Sequence, residues 1–126
     1  MSVGTYKYWL DDRPWLDRLI GQRVVEASDD TLTLSNGVQL RFQKANDDCC
    51  SYIELGKLAT TDNIITAASV GDNEGETGGE GPYDAWVYVV TEAGVLNIAE
   101  AHGDASNGYY LHGFALDVTV IEPAVA

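Results

Sequence analysis

Basic side chains are scarce in this chain: 7 Lys and Arg stand against 20 Asp and Glu, leaving a net charge of −13 over 126 residues. Nonspecific nucleic-acid binding draws its free energy from Lys and Arg neutralising phosphates, so direct binding to nucleic acid is not expected. Anionic membrane surfaces are disfavoured for the same reason. Long apolar runs are also missing; none approaches the ~20 residues that span a bilayer. The opening "MSVGTYKYWLDDRPW" has no basic segment followed by an apolar core, so no secretion signal is expected and a soluble, intracellular protein follows. The excess of acid has two readings. One is solubility through self-repulsion. The other is a decoy whose carboxylates imitate a phosphate backbone for a basic partner. Dense imitation of that kind wants acidic stripes along elements, whereas many acids here crowd into one segment.

Cysteine is nearly absent too. Both copies, Cys49 and Cys50, stand side by side in "DDCCSYIELG". A disulfide between them is the least expected of the options, because neighbouring Cα atoms lie ~3.8 Å apart, closer than a bridge usually spans. Two cysteines also make no disulfide framework. On a strand, alternation sends the two thiols to opposite faces. Cys49 shares parity with Ile53 and Leu55 and reads as core; Cys50 shares parity with Tyr52 and Glu54 and reads as the other face. Both thiolates, with His102 and His112, could complete a Cys₂His₂ set only if the backbone kinks, and the spacing matches no familiar zinc module. No metal or other cofactor is therefore expected. A nucleophile needs a base nearby. Asp48, Cys50 and either histidine supply the residue types. His112 shares parity with Phe114 and Leu116, which suits a buried histidine, while His102 in "AHGDASNG" reads as a loop residue freer to act.

The length suits one domain, residues 1–126, able to bury roughly two-thirds of its unfolded surface. "DDRPWLDRLIG" reads as a short helix, with Asp12 or Arg13 as cap, Pro14 in the first turn and Gly21 just past the end. Trp15, Leu16, Leu19 and Ile20 fall at helical spacing and are expected to dock on a sheet. From Arg23 onward the pattern is that of strands. "TLTLSNGVQLRF" alternates on both sides of Asn36-Gly37, a strong hairpin signal. A two-residue loop would put the two apolar stripes on opposite faces. A three-residue loop, Ser35 to Gly37, pairs Leu34 with Val38 and Leu32 with Leu40 and gathers every apolar side chain on one face. A type I turn with a bulge at Gly37 is expected.

Further strands are expected at "CSYIEL", "IITAASV", "DAWVYVVTE", "VLNIAE" and "YLHGFALDVTVI". "AWVYVV" is apolar on both parities, which fits a central strand covered on both sides. Seven or eight strands with one short N-terminal helix predict a mainly β fold, an antiparallel sandwich or barrel-like sheet. The segment 71–82, "GDNEGETGGEGP", holds five glycines and four acids and reads as an acidic, glycine-rich loop. Asp72, Glu74 and Glu76 alternate in the manner of calcium-loop ligands, but the Gly and Glu that such a loop requires at its sixth and twelfth places are missing.

"DASNGYY" is the second polar stretch. Asn107-Gly108 is turn chemistry, and Ser106 can bond locally to backbone. The same residues also make a polar rim with two aromatic platforms, Tyr109 and Tyr110, suited to a small polar ligand or a protein partner. An acidic-Cys-Cys-Ser stretch after a hairpin, followed by Ser-Asn-Gly-Tyr-Tyr, resembles a family of small uncharacterised proteins from phages of actinobacteria and other bacteria. The likeness runs over roughly residues 19 to 113 and rests on "LIGQRVVEA", Asp48 to Ser51, and Ser106 to Tyr110. It implies a phage setting and no particular reaction, and it makes it attractive that the two stretches adjoin. The expectation is then a non-enzymatic phage accessory protein of the host cytoplasm, acting in host takeover or counter-defence. It would bind a host protein or a small polar ligand through Asp48, Cys50, Ser51, His102, Ser106, Asn107, Tyr109 and Tyr110, with self-association open to it through exposed strand edges. Two alternatives stand beside it: a virion component, decorating or tail-associated, and a thiol-dependent enzyme.

Overall fold

A computed structural model of the chain describes residues 5–10, 12–44, 52–72, 82–104 and 116–123. Among these, nine strands form two antiparallel sheets. The first runs in the order β1 (Thr5–Trp9), β9 (Leu116–Ile121), β4 (Gln39–Lys44), β3 (Thr31–Leu34), β2 (Val24–Ala27). The second runs β5 (Tyr52–Leu58), β8 (Gly94–Asp104), β7 (Pro82–Thr91), β6 (Ala67–Asp72). One short helix, α1 (Arg13–Leu16), continues into a 3₁₀ turn over Asp17–Leu19. The inner faces of both sheets and the helix share one hydrophobic cluster. The fold is thus mainly β with two antiparallel sheets, and not a closed barrel.

The β3–β4 hairpin shows how alternation sets register. Leu32 pairs with Leu40, the Leu34 amide donates to the Val38 carbonyl at 2.8 Å, and the Gly37 amide donates to the Leu34 carbonyl at 2.9 Å. Gly37 takes φ +91°, the left-handed conformation glycine tolerates without Cβ strain. Leu32, Leu34, Val38, Leu40 and Phe42 all fall on the buried face, as the three-residue loop predicts. Strand β9 then lies against β4, with Val118 opposite Phe42 and Val120 opposite Leu40.

The helix docks by Trp15, Leu16 and Leu19, all buried, but leaves Ile20 43% exposed. The reason is a change of pitch. A 3₁₀ turn winds with three residues per turn instead of 3.6, and Ile20 itself is extended at φ −67°, ψ 129°, so it rotates off the inward stripe. Gly21, at φ +85°, ends the segment, and its amide donates to the Ile65 carbonyl at 2.8 Å. Arg13 reaches from the helix to the edge of β6, where Nη2 donates to the Ala68 carbonyl at 2.8 Å. That bond occupies an edge carbonyl that would otherwise be open to strand pairing. A pair of bonds between Val24 and Thr61 joins β2 to the segment leading into β6, and so ties the two sheets together along one side.

Three expectations need correction. β1 is an added strand, drawn into the first sheet by pairing Thr5–Trp9 with β9, and "TYKYW" is too short to declare itself by period. Gly71 and Asp72 belong to β6 and Pro82 to β7, so the acidic stretch begins and ends inside paired strands; residues 73–81 lie outside the described residues. And β7 is central, yet only one of its faces is fully covered: Ala85, Val87 and Val89 are buried while Trp86, Tyr88 and Val90 are half-buried.

Candidate functional site

The half-covered face of β7 is the outer face of the second sheet, and a single extra residue composes it. Near the hairpin turn, Thr91 pairs with Gly94 and Tyr88 with Asn97. Carried on unchanged, that register would set Asp84 opposite Ala101 and turn His102 toward the other face. Instead Val87 pairs with Ala99, which leaves Ile98 as a bulge residue in β8. Ile98 and Ala99 are both buried. A bulge of this kind moves every later side chain to the opposite face. Past it, Trp86 faces Glu100 and Asp84 faces His102 across the β7–β8 ladder.

The bulge brings Asp84 Oδ1 within 2.7 Å of His102 Nδ1. A carboxylate can only accept, so Nδ1 donates in this contact. Both side chains are about half exposed, 52% for Asp84 and 51% for His102. One row further along, Gly56 stands beside Glu100; a Cβ at Gly56 would fall 3.2 Å from the Glu100 carbonyl oxygen. The missing side chain leaves an open-sided depression of about 220 Å³, walled by Gly56, Lys57, Asp84, Trp86, Glu100 and His102. On its far side the Trp86 indole lies over Gly71. A Cβ at Gly71 would fall 2.5 Å from Cε2 and 2.8 Å from Cζ2, and nearer still to Nε1. Two glycines therefore shape this face. One opens a hollow beside Glu100, and the other lets an indole settle onto backbone.

Of the residues expected at a site, His102 is described, and it differs from the loop residue foreseen. It lies in β8, with Glu54 and Asp84 as backbone partners on either side. Asp48, Cys50, Ser51, Ser106, Asn107, Tyr109 and Tyr110 lie outside the described residues, as do Cys49 and His112. The strand ends that lead to them are described, and they adjoin. Tyr52, which follows Ser51, is the backbone partner of Asp104, the first residue of "DASNGYY". Asp104 in turn partners Pro82, the last residue of the acidic stretch. Three distant polar stretches are thus anchored in one cross-strand row, one turn of the pleat beyond Asp84 and His102. Lys57, Asp84, Trp86 and Glu100 were not foreseen. Their parity opposite Ala85, Val87 and Ala101 was readable, but the bulge that aligns them was not. Among the described residues, no group of three or more His, Cys, Asp or Glu side chains is arranged to hold a metal ion. No helix among them is long and apolar enough to cross a membrane.

Fold and face together define a small acidic two-sheet β protein with a polar, aromatic-walled depression on one outer surface. The chain belongs to the family described as Domain of unknown function (DUF7448), whose model matches residues 17–116. No curated protein and no solved structure gives a match.

Proposed function

We propose that this is a non-enzymatic accessory protein that binds a host protein or a small polar ligand at the β5–β8–β7 end of the second sheet. The observation that carries the reading is the row Tyr52–Asp104–Pro82. It tethers the acidic-Cys-Cys-Ser, Ser-Asn-Gly-Tyr-Tyr and acidic glycine-rich stretches to neighbouring strand ends, next to the Asp84–His102 pair. Binding surfaces are disproportionately built from segments held by a rigid scaffold. The phage setting, and with it host takeover or counter-defence, comes from the resemblance of the paired polar stretches. The strong negative charge favours a partner of opposite potential, because complementary fields speed encounter.

The test is affinity capture from host lysate combined with native mass spectrometry of the 13.6 kDa chain. The expected result is one defined protein or one constant added mass, retained by the wild type and lost with Tyr109→Ala. A chain that keeps its bare mass and retains nothing removes the proposal.

One observation favours a second reading, thiol-dependent catalysis. A carboxylate on His Nδ1 is the orienting contact of nucleophile–base systems, and the Asp84–His102 distance of 2.7 Å fits it. In that reading Cys50 is the nucleophile. Hydrolysis of an activated thioester should then fall by about 100-fold or more in both Cys50→Ser and His102→Ala, since general-base assistance contributes on that order. Equal rates in wild type and both variants would leave Asp84–His102 a surface pair only.

A further inference from the structure

We propose that the depression between Gly56 and Trp86 takes an arginine side chain from a peptide segment of a basic partner protein; this rests on the binding reading above and names the partner's chemistry. The first ground is an exposed carboxylate with no described protein partner. Glu100 lines the hollow and has no ion-pair or hydrogen-bond partner among the described residues. Asp84, beside it, is held by His102, so Glu100 is the carboxylate left to meet a guest. The second ground is the indole. Trp86 forms the adjacent wall, and the absence of a Cβ at Gly71 lets its ring lie against the β6 backbone. Tryptophan is the aromatic side chain that attracts a cation best, and a planar guanidinium stacks on it while donating a charge-assisted bond to a neighbouring carboxylate. The third is an unused donor. Trp86 Nε1–H, half-buried, has no acceptor among the described residues. A guanidinium cannot accept that bond, but a peptide carbonyl next to the arginine can, which selects a peptide segment over a bare cation.

Charge decides among other occupants. Two copies of a chain at −13 repel one another, which opposes a second copy on this face. An anionic guest would meet Glu100 and Asp84. Lys57 is the opposing feature. It lines the other wall and makes no ion pair with Glu100 among the described residues, so its ammonium competes with the guest instead of completing the site. That gives the proposal a signed consequence.

The experiment is an amide and indole NMR titration of the full chain with acetyl-Gly-Arg-Gly-Arg-Gly-amide, at fixed moderate salt. Saturable shifts are expected at the Trp86 indole N–H and the Gly56 amide. Glu100→Gln should weaken binding by about tenfold, the scale of one charge-assisted bond. Glu92→Gln removes the same charge in the β7–β8 turn, just past Thr91, and should change it by less than about twofold, as a screened distant charge does. Lys57→Gln should tighten it. Equal losses for Glu100→Gln and Glu92→Gln would reduce the binding to diffuse acidity and overturn the site, and weaker binding by Lys57→Gln would overturn it too, because removing a competing cation from the wall cannot weaken a cationic guest seated there. A variant that loses the peptide while its remaining amide spectrum is unchanged is read as folded. If wild type ignores the peptide yet still captures a partner from lysate, the arginine site is wrong and the broader binding reading stands. If both fail, both go.

Discussion

Trp15→Ala is expected to destabilise the fold by about 4 kcal/mol, the scale of deleting a large aromatic from a packed core. Trp15 is fully buried. Its ring meets Phe42 of β4 edge-on, with centroids 5.8 Å apart at 84°. Its Nε1–H donates to the Leu10 carbonyl at 2.7 Å. The substitution therefore opens a cavity, removes an edge-to-face contact of about 1 kcal/mol, and strips a buried carbonyl of a donor. Because small domains hold only about 5–15 kcal/mol in total, the loss should be plain in urea denaturation followed by far-UV circular dichroism. Trp15→Phe should keep most of the packing and lose the bond to Leu10. Ile20→Ala, one turn later on the exposed side, should stay within about 0.5 kcal/mol of wild type. A Trp15→Ala protein within 1 kcal/mol of wild type would mean that the helix does not plug the core as described.

That contrast between Trp15 and Ile20 also shows how far sequence carries. The hairpin "TLTLSNGVQLRF" was readable to the residue, since only one loop length puts both apolar stripes on one face, and the pairing of Leu32 with Leu40 follows. Ile20 was misread because an apolar stripe at helical spacing does not announce that the last turn tightens to 3₁₀. β1 was missed because its strand character comes from its partner β9 and not from its own five residues. The depression on the second sheet was missed for a related reason. His102 is a visible candidate, and "DAWVYVV" displays its two faces openly. Yet the alignment of Asp84 with His102 and of Trp86 with Glu100 depends on one unpaired residue, Ile98. Nothing in "VLNIAEAH" marks a bulge: Ile and Ala satisfy a strand's alternation equally well with or without it. Pairing across strands is a tertiary choice, made here by burying Ile98 and Ala99 together. The glycines were legible only as turn or loop signals, although Gly56 and Gly71 act in strands by leaving space.

Gly71→Ala is the second substitution expected to have a large effect, and its sign runs against the usual rule. Glycine in a strand at an ordinary φ normally gains about 0.4–1 kcal/mol when replaced by alanine, because the unfolded chain loses freedom. Gly71 is not among the positive-φ glycines, so the backbone offers no objection. The indole does. A Cβ there would meet Cε2 at 2.5 Å and Cζ2 at 2.8 Å, distances that no packed carbon pair holds, so either Trp86 leaves its rotamer or the β6 edge moves away. Overpacking of this kind costs about 1–3 kcal/mol, enough to reverse the entropic gain. A net loss of about 1 kcal/mol or more is expected in urea denaturation, together with a displaced Trp86 indole N–H resonance. Because β6 is an edge strand bonded on one side only to β7, amide exchange should quicken across Ala67–Asp72 while β3 and β4 stay protected. The same variant should bind the arginine peptide less well, since the ring that walls the depression no longer rests on backbone. Shortening the neighbour restores room, so Trp86→Leu added to Gly71→Ala should recover stability without recovering peptide binding. An alanine variant that is more stable than wild type, with the indole resonance unmoved, would mean that Trp86 does not occupy the space above Gly71, and the aromatic wall of the depression would be lost with it.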